Sequence, residues 1–311
     1  MSEIGIISNP HAKSNRRNPK RQLLLSYIAG EQGIYESTQT LEHLREAVRR
    51  LKSKGVKIIA INGGDGTITR TITAILQEYG NEAPLPKIVL LKGGTVNMLA
   101  MNLGIFGRPE ALLGKLMLSH SSGKIKKSVV LDTLEVNENY GFLFANGAAS
   151  AFLKKFYQDK TNIPGAILLF IKILLSRVFD PSLYRSIIKE HAVTVSPLGA
   201  STFSIKSIGI FAATVRRLPL GVKLFPNVGT GSGLMQCVFV TTTQKNSIWR
   251  IPISGILRPG KSDADKFSLS CKQIELSSKS MENYTLDGEL FDTISGKVQI
   301  KIGPRIEFLI P

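Results

Sequence analysis

INGGDGTITRTI, running from Ile61 through Asn62, Gly63, Gly64, Asp65, Gly66 and Thr67 to Ile72, is the stretch whose reading decides the fold. The apolar run VKIIAI (Val56–Ile61) enters it, and a run with helical spacing leaves it and continues to Tyr79. Strand, glycine turn and helix in that order is where an open α/β sheet places its ligand. Glycines let the backbone come close to an anion and aim N–H groups at it, and the helix start adds partial positive charge. A carboxylate in a phosphate-cradling loop repels its ligand unless it faces a Mg²⁺ that bridges protein and phosphate oxygens, which is the role expected of Asp65. The competing reading is a type I′ or II′ hairpin turn at Asp-Gly, which the helical pattern that follows opposes.

Outward from this turn the same rhythm repeats. IGIIS (Ile4–Ser8) and KIVLL (Lys87–Leu91) read as buried strands, and Leu41, Leu44, Val48 and Leu51 give Thr40–Lys54 a helical face. A second glycine turn, LKGGTVNMLA (Leu91–Ala100), follows the strand at Lys87. Gly94 and Thr95 are candidates to hold phosphate oxygens, and Asn97 to bond a sugar or orient Asp65. This alternation predicts a doubly wound α/β nucleotide-binding domain over residues 1–127. From Ser128 onward short β-rich segments take over (VVLDTLEV, YGFLFAN, HAVTVSP, LMQCVFVTTT, KVQIKI), with helical pattern mainly between Phe152 and Arg177. Residues 128–311 are therefore expected to form an antiparallel β-sandwich or barrel.

Composition narrows the partners. Forty Lys and Arg against twenty-three Asp and Glu leave +17, which points to something anionic, while 43% hydrophobic residues suit buried cores. Two cysteines, Cys237 and Cys271, build neither a disulfide framework nor a zinc site, and the start MSEIGIISNP lacks a secretory pattern, so a reducing, cytoplasmic setting is expected. IPGAILLFIKILL (Ile163–Leu175) contains Lys172 and falls short of the ~20 residues of a spanning helix. The four histidines lack ligand spacing, no GxSxG elbow is present, and Trp249 has no aromatic neighbours for stacking bases, so no nucleic-acid partner is expected.

Near the far end, YTLDGELF (Tyr284–Phe291) places Asp287 and Glu289 around Gly288. Alone it reads as a tight turn with acidic residues. Beside a phosphate-binding cleft, a carboxylate can instead accept a hydroxyl proton as that hydroxyl attacks a γ-phosphoryl group.

The early Ser8-Asn9-Pro10 turn, NGGDGT, GGTVN and the late DGE, in that order, resemble the catalytic family of diacylglycerol kinases and sphingosine kinases. The resemblance implies a two-domain fold with ATP and Mg²⁺ as cofactors and a lipid substrate entering from the β-rich domain. It implies ATP contacts from Asn9 and its loop to Lys13, from Thr38, from Gly63, Gly64, Asp65, Gly66 and Thr67, and from Gly94, Thr95 and Asn97. It implies Asp287 or Glu289 as the base, and Asp132 beside Asp65 in the metal-linked network, a buried strand-capping carboxylate being the other reading of Asp132. Three departures stand out: Met98 follows Asn97 where many diacylglycerol kinases have aspartate, Ser232 stands where bacterial members hold a structural Mg²⁺, and Lys13 replaces a common glycine. A second metal is therefore not expected. NAD kinase, which shares a GGDGT-like loop, and a lipid-binding relative without turnover are the alternatives.

Two basic segments complete the reading. KSNRRNPKR (Lys13–Arg21) suits steering of ATP or contact with an anionic membrane surface, or is a solvated loop. Phe152–His191 carries seven basic residues among apolar ones, which suits a bilayer interface or a helix that covers the second domain. The expectation is a peripheral, membrane-associated lipid kinase.

Overall fold

The computed structural model describes residues 3–80, 83–123, 127–158, 180–218, 223–229, 231–241 and 268–311, with 172 and 176. The chain divides into two compact units: residues 1–133, 138–140 and 303–311, and residues 134–137 and 141–302.

The first unit is built on four parallel strands, β1 (Ile4–Ser8), β2 (Gly33–Ser37), β3 (Ile58–Asn62) and β4 (Lys87–Leu90), in the order β2-β1-β3-β4. β1 and β3 are buried along their whole length, as expected of strands covered on both faces. Helices α1 (Lys13–Arg16), α2 (Lys20–Ala29), α3 (Leu41–Ser53), α4 (Asp65–Tyr79), α5 (Met98–Asn102) and α6 (Pro109–Ser121) connect and cover them. α3 shows how sequence makes such a helix. Thr40 caps it by accepting from His43 N at 3.2 Å, and Leu44, Ala47, Val48 and Leu51 bury one face. Leu51 fills the space over β1 left by Gly5, where a Cβ would lie 2.7 Å from its Cδ2.

The second unit holds an antiparallel sheet in the order β12 (Ser268–Cys271), β11 (Met235–Val240), β10 (Gly209–Ala213), β7 (Leu143–Asn146), β14 (Asn283–Leu286) and β15 (Glu289–Asp292). A second antiparallel set pairs β16 (Lys297–Leu309) with β13 (Gln273–Ser277), β13 with β8 (His191–Pro197), and β8 with β9 (Phe203–Ser207). Side chains of both sets share one core that includes Phe144, Tyr284, Cys237, Ile274 and Val298. Helices α7 (Ala148–Gln158) and α8 (Pro181–Ile187) belong to the same unit. β5 (Ser128–Val136) and β6 (Asn139–Gly141) lie where the chain passes between the units, and β16 passes back, so Gly303–Pro311 end the chain in the first unit. The expected α/β plus antiparallel β architecture is borne out. Among the described residues no helix is long and apolar enough to cross a membrane. Trp249 and most of Ile163–Leu175 lie outside the described residues.

Candidate active site

In the first unit the chain leaves β1 toward β2 on one side and β3 toward β4 on the other. The carboxyl ends of β1 and β3 therefore flank the position at which an open sheet of this type binds its ligand. Asn9 follows β1 there and Gly63–Thr67 follows β3. The two segments are tied together: Asn9 N donates to Asn62 O at 3.0 Å, and Asn9 Nδ2 donates to Thr67 Oγ1 at 2.9 Å. Asn15, buried in α1, donates to Asn9 O at 2.7 Å, and Asn62 Nδ2 donates to Ser8 Oγ at 2.8 Å. Ser8 Oγ in turn donates to Gln22 Oε1 at 2.8 Å. Asn15, Asn62 and Gln22 were not anticipated as site residues. The one signal available is asparagine at the carboxyl ends of β1 and β3, which is too short a pattern to stand out.

The second glycine turn meets the first, backbone against backbone. A Cβ on Gly94 would lie 2.3 Å from Gly64 Cα, and one on Gly93 2.4 Å from Asn62 Oδ1. None of Gly63, Gly64, Gly93 and Gly94 has positive φ, so these glycines answer a need for space and not for a left-handed turn. Asn97, in the left-handed region at φ 51°, folds back on its own turn: Gly94 N donates to Asn97 Oδ1 at 3.2 Å, and Asn97 Nδ2 to Gly94 O at 3.0 Å. Thr38 follows β2 with its N–H on Ser8 O at 2.9 Å and is buried. Lys13 and Thr95 are exposed.

Asp65 opens α4, and the N–H groups of Asn97, Met98 and Leu99 face its carboxylate, so it caps the start of α5, which has no side-chain cap of its own. Burial pushes its carboxyl up to about 6, against the pull of those N–H groups and of its own. Its Oδ1 is buried with no hydrogen-bond partner. An orphaned carboxylate oxygen with a raised pKa fits a cation or a metal-bound water. Mg²⁺ commonly takes one or two carboxylates and completes its shell with phosphate and water. Among the described residues no group of three or more His, Cys, Asp or Glu could hold a metal by itself. Asp132 is buried on β5 and accepts from Arg305 Nε at 2.9 Å, which balances its charge locally. No bond joins it to Asp65 in the described hydrogen-bond network.

In the second unit Asp287 (φ 50°) and Gly288 (φ 89°) form a two-residue turn between Leu286 and Glu289, which pair across β14 and β15. Positive φ at both positions is the type I′ geometry. The tight turn is real, and Asp287 does more than close it. Its Oδ1 accepts from Leu143 N at 2.8 Å, both oxygens lie 3.1 Å from Phe142 N, and its own N–H donates to Leu143 O at 2.8 Å. Gly141 makes room, since a Cβ there would sit 2.6 Å from Asp287 Oδ2. Tyr157 of α7 donates to Gly288 O at 2.7 Å and holds the turn from the helix side. Glu289 is half-buried beside it.

Comparison with known proteins agrees with this geometry. Residues 3–127 match the model of the diacylglycerol kinase catalytic domain. The chain is 29% identical over 136 residues to "Probable lipid kinase YegS" of Escherichia coli O127:H6, covering 43% of this chain and 42% of the relative, and 28% identical to the Shigella flexneri protein of the same name with the same coverage. The chain thus spans about two fifths of the length of the curated relatives it matches. Two structures described as a diacylglycerol kinase and a putative diacylglycerol kinase of Bacillus anthracis str. Sterne share the fold over 100% of this chain and 96–97% of theirs. Their TM-scores are 0.69 and 0.71, at 17% and 15% identity. By its motifs and by this match, residues 3–127 are similar to the diacylglycerol kinase catalytic domain.

Proposed function

We propose that the protein is an ATP-dependent lipid kinase that moves the γ-phosphoryl group to a hydroxyl of a diacylglycerol-like or sphingoid-like lipid at a membrane surface. The observation that carries the reading is the joined pair of glycine turns with Asp65 between them, a nucleotide-binding arrangement at the carboxyl ends of parallel strands. Asn9, Lys13, Thr38, Gly63, Gly64, Gly66, Thr67, Gly94, Thr95 and Asn97 would position ATP. Asp65 would hold Mg²⁺ together with nucleotide oxygens, with Asp132 as the second carboxylate the family resemblance offers. The metal, when bound, neutralises charge on the phosphates. Asp287, fixed by Phe142 N and Leu143 N, would orient the acceptor hydroxyl, and Asp287 or Glu289 would take its proton. Phosphoryl transfer gains most from positioning and charge neutralisation, which suits carboxylates held this rigidly.

The bilayer part of the reading rests on α2 and the segment before it. From Ala12 to Gly30 there are five basic residues and no acidic one. Lys13, Arg16, Arg17 and Lys20 are exposed, while Arg21 pairs with Glu110. α2 buries Leu25 and Ala29 on one face, yet shows Leu23 and Tyr27 at 75% and 84% exposure on the other. Basic charge beside exposed apolar side chains suits an anionic lipid surface.

Incubation with ATP, Mg²⁺ and vesicles carrying a panel of hydroxyl lipids, with mass detection of products, tests the proposal. A phosphorylated lipid is expected. NADP formation from NAD in a vesicle-free mixture would replace this reading with the nucleotide kinase one, and ATP binding without any product would replace it with a lipid-binding protein.

A further inference from the structure

The described residues that line a cavity of about 450 Å³ all belong to the second unit, and Asp287, Gly288 and Glu289 are not among them. Asn283 lines it, and Asp287 lies four residues further along the chain, about 13 Å of strand. The volume is within the usual range of small-ligand sites.

The lining is unusually rich in donors. Among the described residues, Lys154 and Lys155 line it from α7 and Lys189 from just beyond α8, against one carboxylate, Glu282. Lys154 and Lys189 make no ion pair among the described residues. Five serines line it among the described residues; Ser150 and Ser207 spend their hydroxyls on backbone carbonyls, while Ser278 and Ser280 add theirs to the lining. Ser280 bonds His191 Nδ1 at 2.6 Å and Ser278 at 3.1 Å, forming a short chain along one wall. Asn146, 4% exposed, accepts at Oδ1 from Ile210 N at 2.8 Å, while its Nδ2 donates to Met281 Sδ at 3.0 Å, a weak acceptor. Lys154 and Lys189 line one concavity, both exposed, so their charges repel each other and an anion relieves that repulsion. Lysines act on phosphate as point charges, and a tetrahedral phosphate offers acceptor lone pairs in several directions for the hydroxyl and amide donors. A concave site of this size suits a compact phosphate group and not an extended polyanion.

We infer that this cavity is a binding site for a phosphate monoester, separate from the turn that carries Asp287 and independent of the kinase reading. It takes the phosphate either from a soluble ester or from a lipid headgroup. Five of the seven basic residues between Phe152 and His191 fall on described positions, and three of those five line the cavity. Lys160 and Arg177 lie outside the described residues.

His191 lines the cavity and is the one histidine of the second unit, since His11, His43 and His120 belong to the first. Histidine NMR on the full chain therefore reports the site, with His43 and His120 as internal controls. Titration with glycerol 3-phosphate is expected to shift the His191 ring signals saturably and leave His43 and His120 in place. Lys154→Gln with Lys189→Gln is expected to weaken that response at least ten-fold while the control signals show the fold intact. In the second arm, phosphatidylcholine vesicles containing phosphatidate are compared with phosphatidylcholine alone. A response to glycerol 3-phosphate assigns a soluble ester, and a response confined to phosphatidate vesicles assigns a lipid headgroup. The inference is overturned if His191 stays still in both arms, if potassium chloride at matched ionic strength moves it equally, if plain phosphatidylcholine does so, or if the glutamine variant responds like the parent.

Discussion

At the scale of single residues, the two aspartates proposed to carry most of the chemistry are held in different ways. Asp65 has a carboxyl lifted to about 6 by burial and one oxygen without a partner. A carboxyl whose folded pKa exceeds its unfolded one holds more protons folded than unfolded between the two values. Its ionisation therefore lowers stability as pH rises through 6, and that loss disappears below about pH 4. Without nucleotide or Mg²⁺, Asp65→Asn is predicted to raise unfolding free energy by about 1–3 kcal/mol at pH 7.5 and to match wild type near pH 4, as measured by denaturant unfolding. A variant less stable than wild type at both pH values would contradict the burial argument. Asp287 is the opposite case, because its carboxylate satisfies the N–H groups of Phe142 and Leu143. Asp287→Ala leaves those buried donors unmatched and is predicted to cost about 1–3 kcal/mol in the same measurement. Asp287→Asn retains an amide oxygen for them, so it should keep the melting temperature within a few degrees while phosphorylation of lipid falls by roughly 10²-fold or more. Equal activity in Asp287→Asn would shift the base role to Glu289.

At the scale of elements, the glycine turns are explained by each other. Gly94→Ala puts a Cβ 2.3 Å from Gly64 Cα, where no flexible side chain can yield, whereas a Cβ on Gly114 within α6 meets nothing. Gly94→Ala is predicted to cost about 1–3 kcal/mol and to abolish ATP binding by calorimetry. Gly114→Ala should stabilise α6 by about 0.5–1 kcal/mol and leave ATP binding unchanged. The elements that frame these turns were readable in advance. Ile4–Ser8, Ile58–Asn62 and Lys87–Leu90 are short apolar runs because strands covered on both faces need no polar alternation, and α3 keeps its apolar residues on one side. β2 and α2 gave no such signal. GIYES is a half-buried edge strand without alternation, and α2 is apolar on two faces, so neither period emerges. The grip of Asp287 on Phe142 and Leu143 links residues about 145 apart in the chain, and Asn15 lies in a basic run whose charge conceals it. The outward face of α2 yields its own test. Leu23→Glu with Tyr27→Glu touches no buried group and should leave thermal stability unchanged, yet reduce sedimentation with anionic vesicles at least ten-fold.

At the scale of the whole molecule, the charge of +17 is unevenly used. Part stands exposed before and on α2, and part lines the cavity of the second unit. Exposed charges are screened beyond ~8 Å at physiological ionic strength, so turnover on anionic vesicles should fall as salt rises, while turnover on a short-chain soluble lipid should change much less. The return of Gly303–Pro311 to the first unit has no local mark in the sequence, because a β-rich run reads the same in either unit. The most direct test of the central claim is transfer of label from γ-labelled ATP to lipid in mixed anionic vesicles with Mg²⁺, comparing wild type with Asp65→Asn. Labelled lipid is predicted for the wild-type chain, with a loss of at least 10²-fold in the folded Asp65→Asn variant. Absence of labelled lipid from the wild type, or undiminished labelling by Asp65→Asn, would contradict the account.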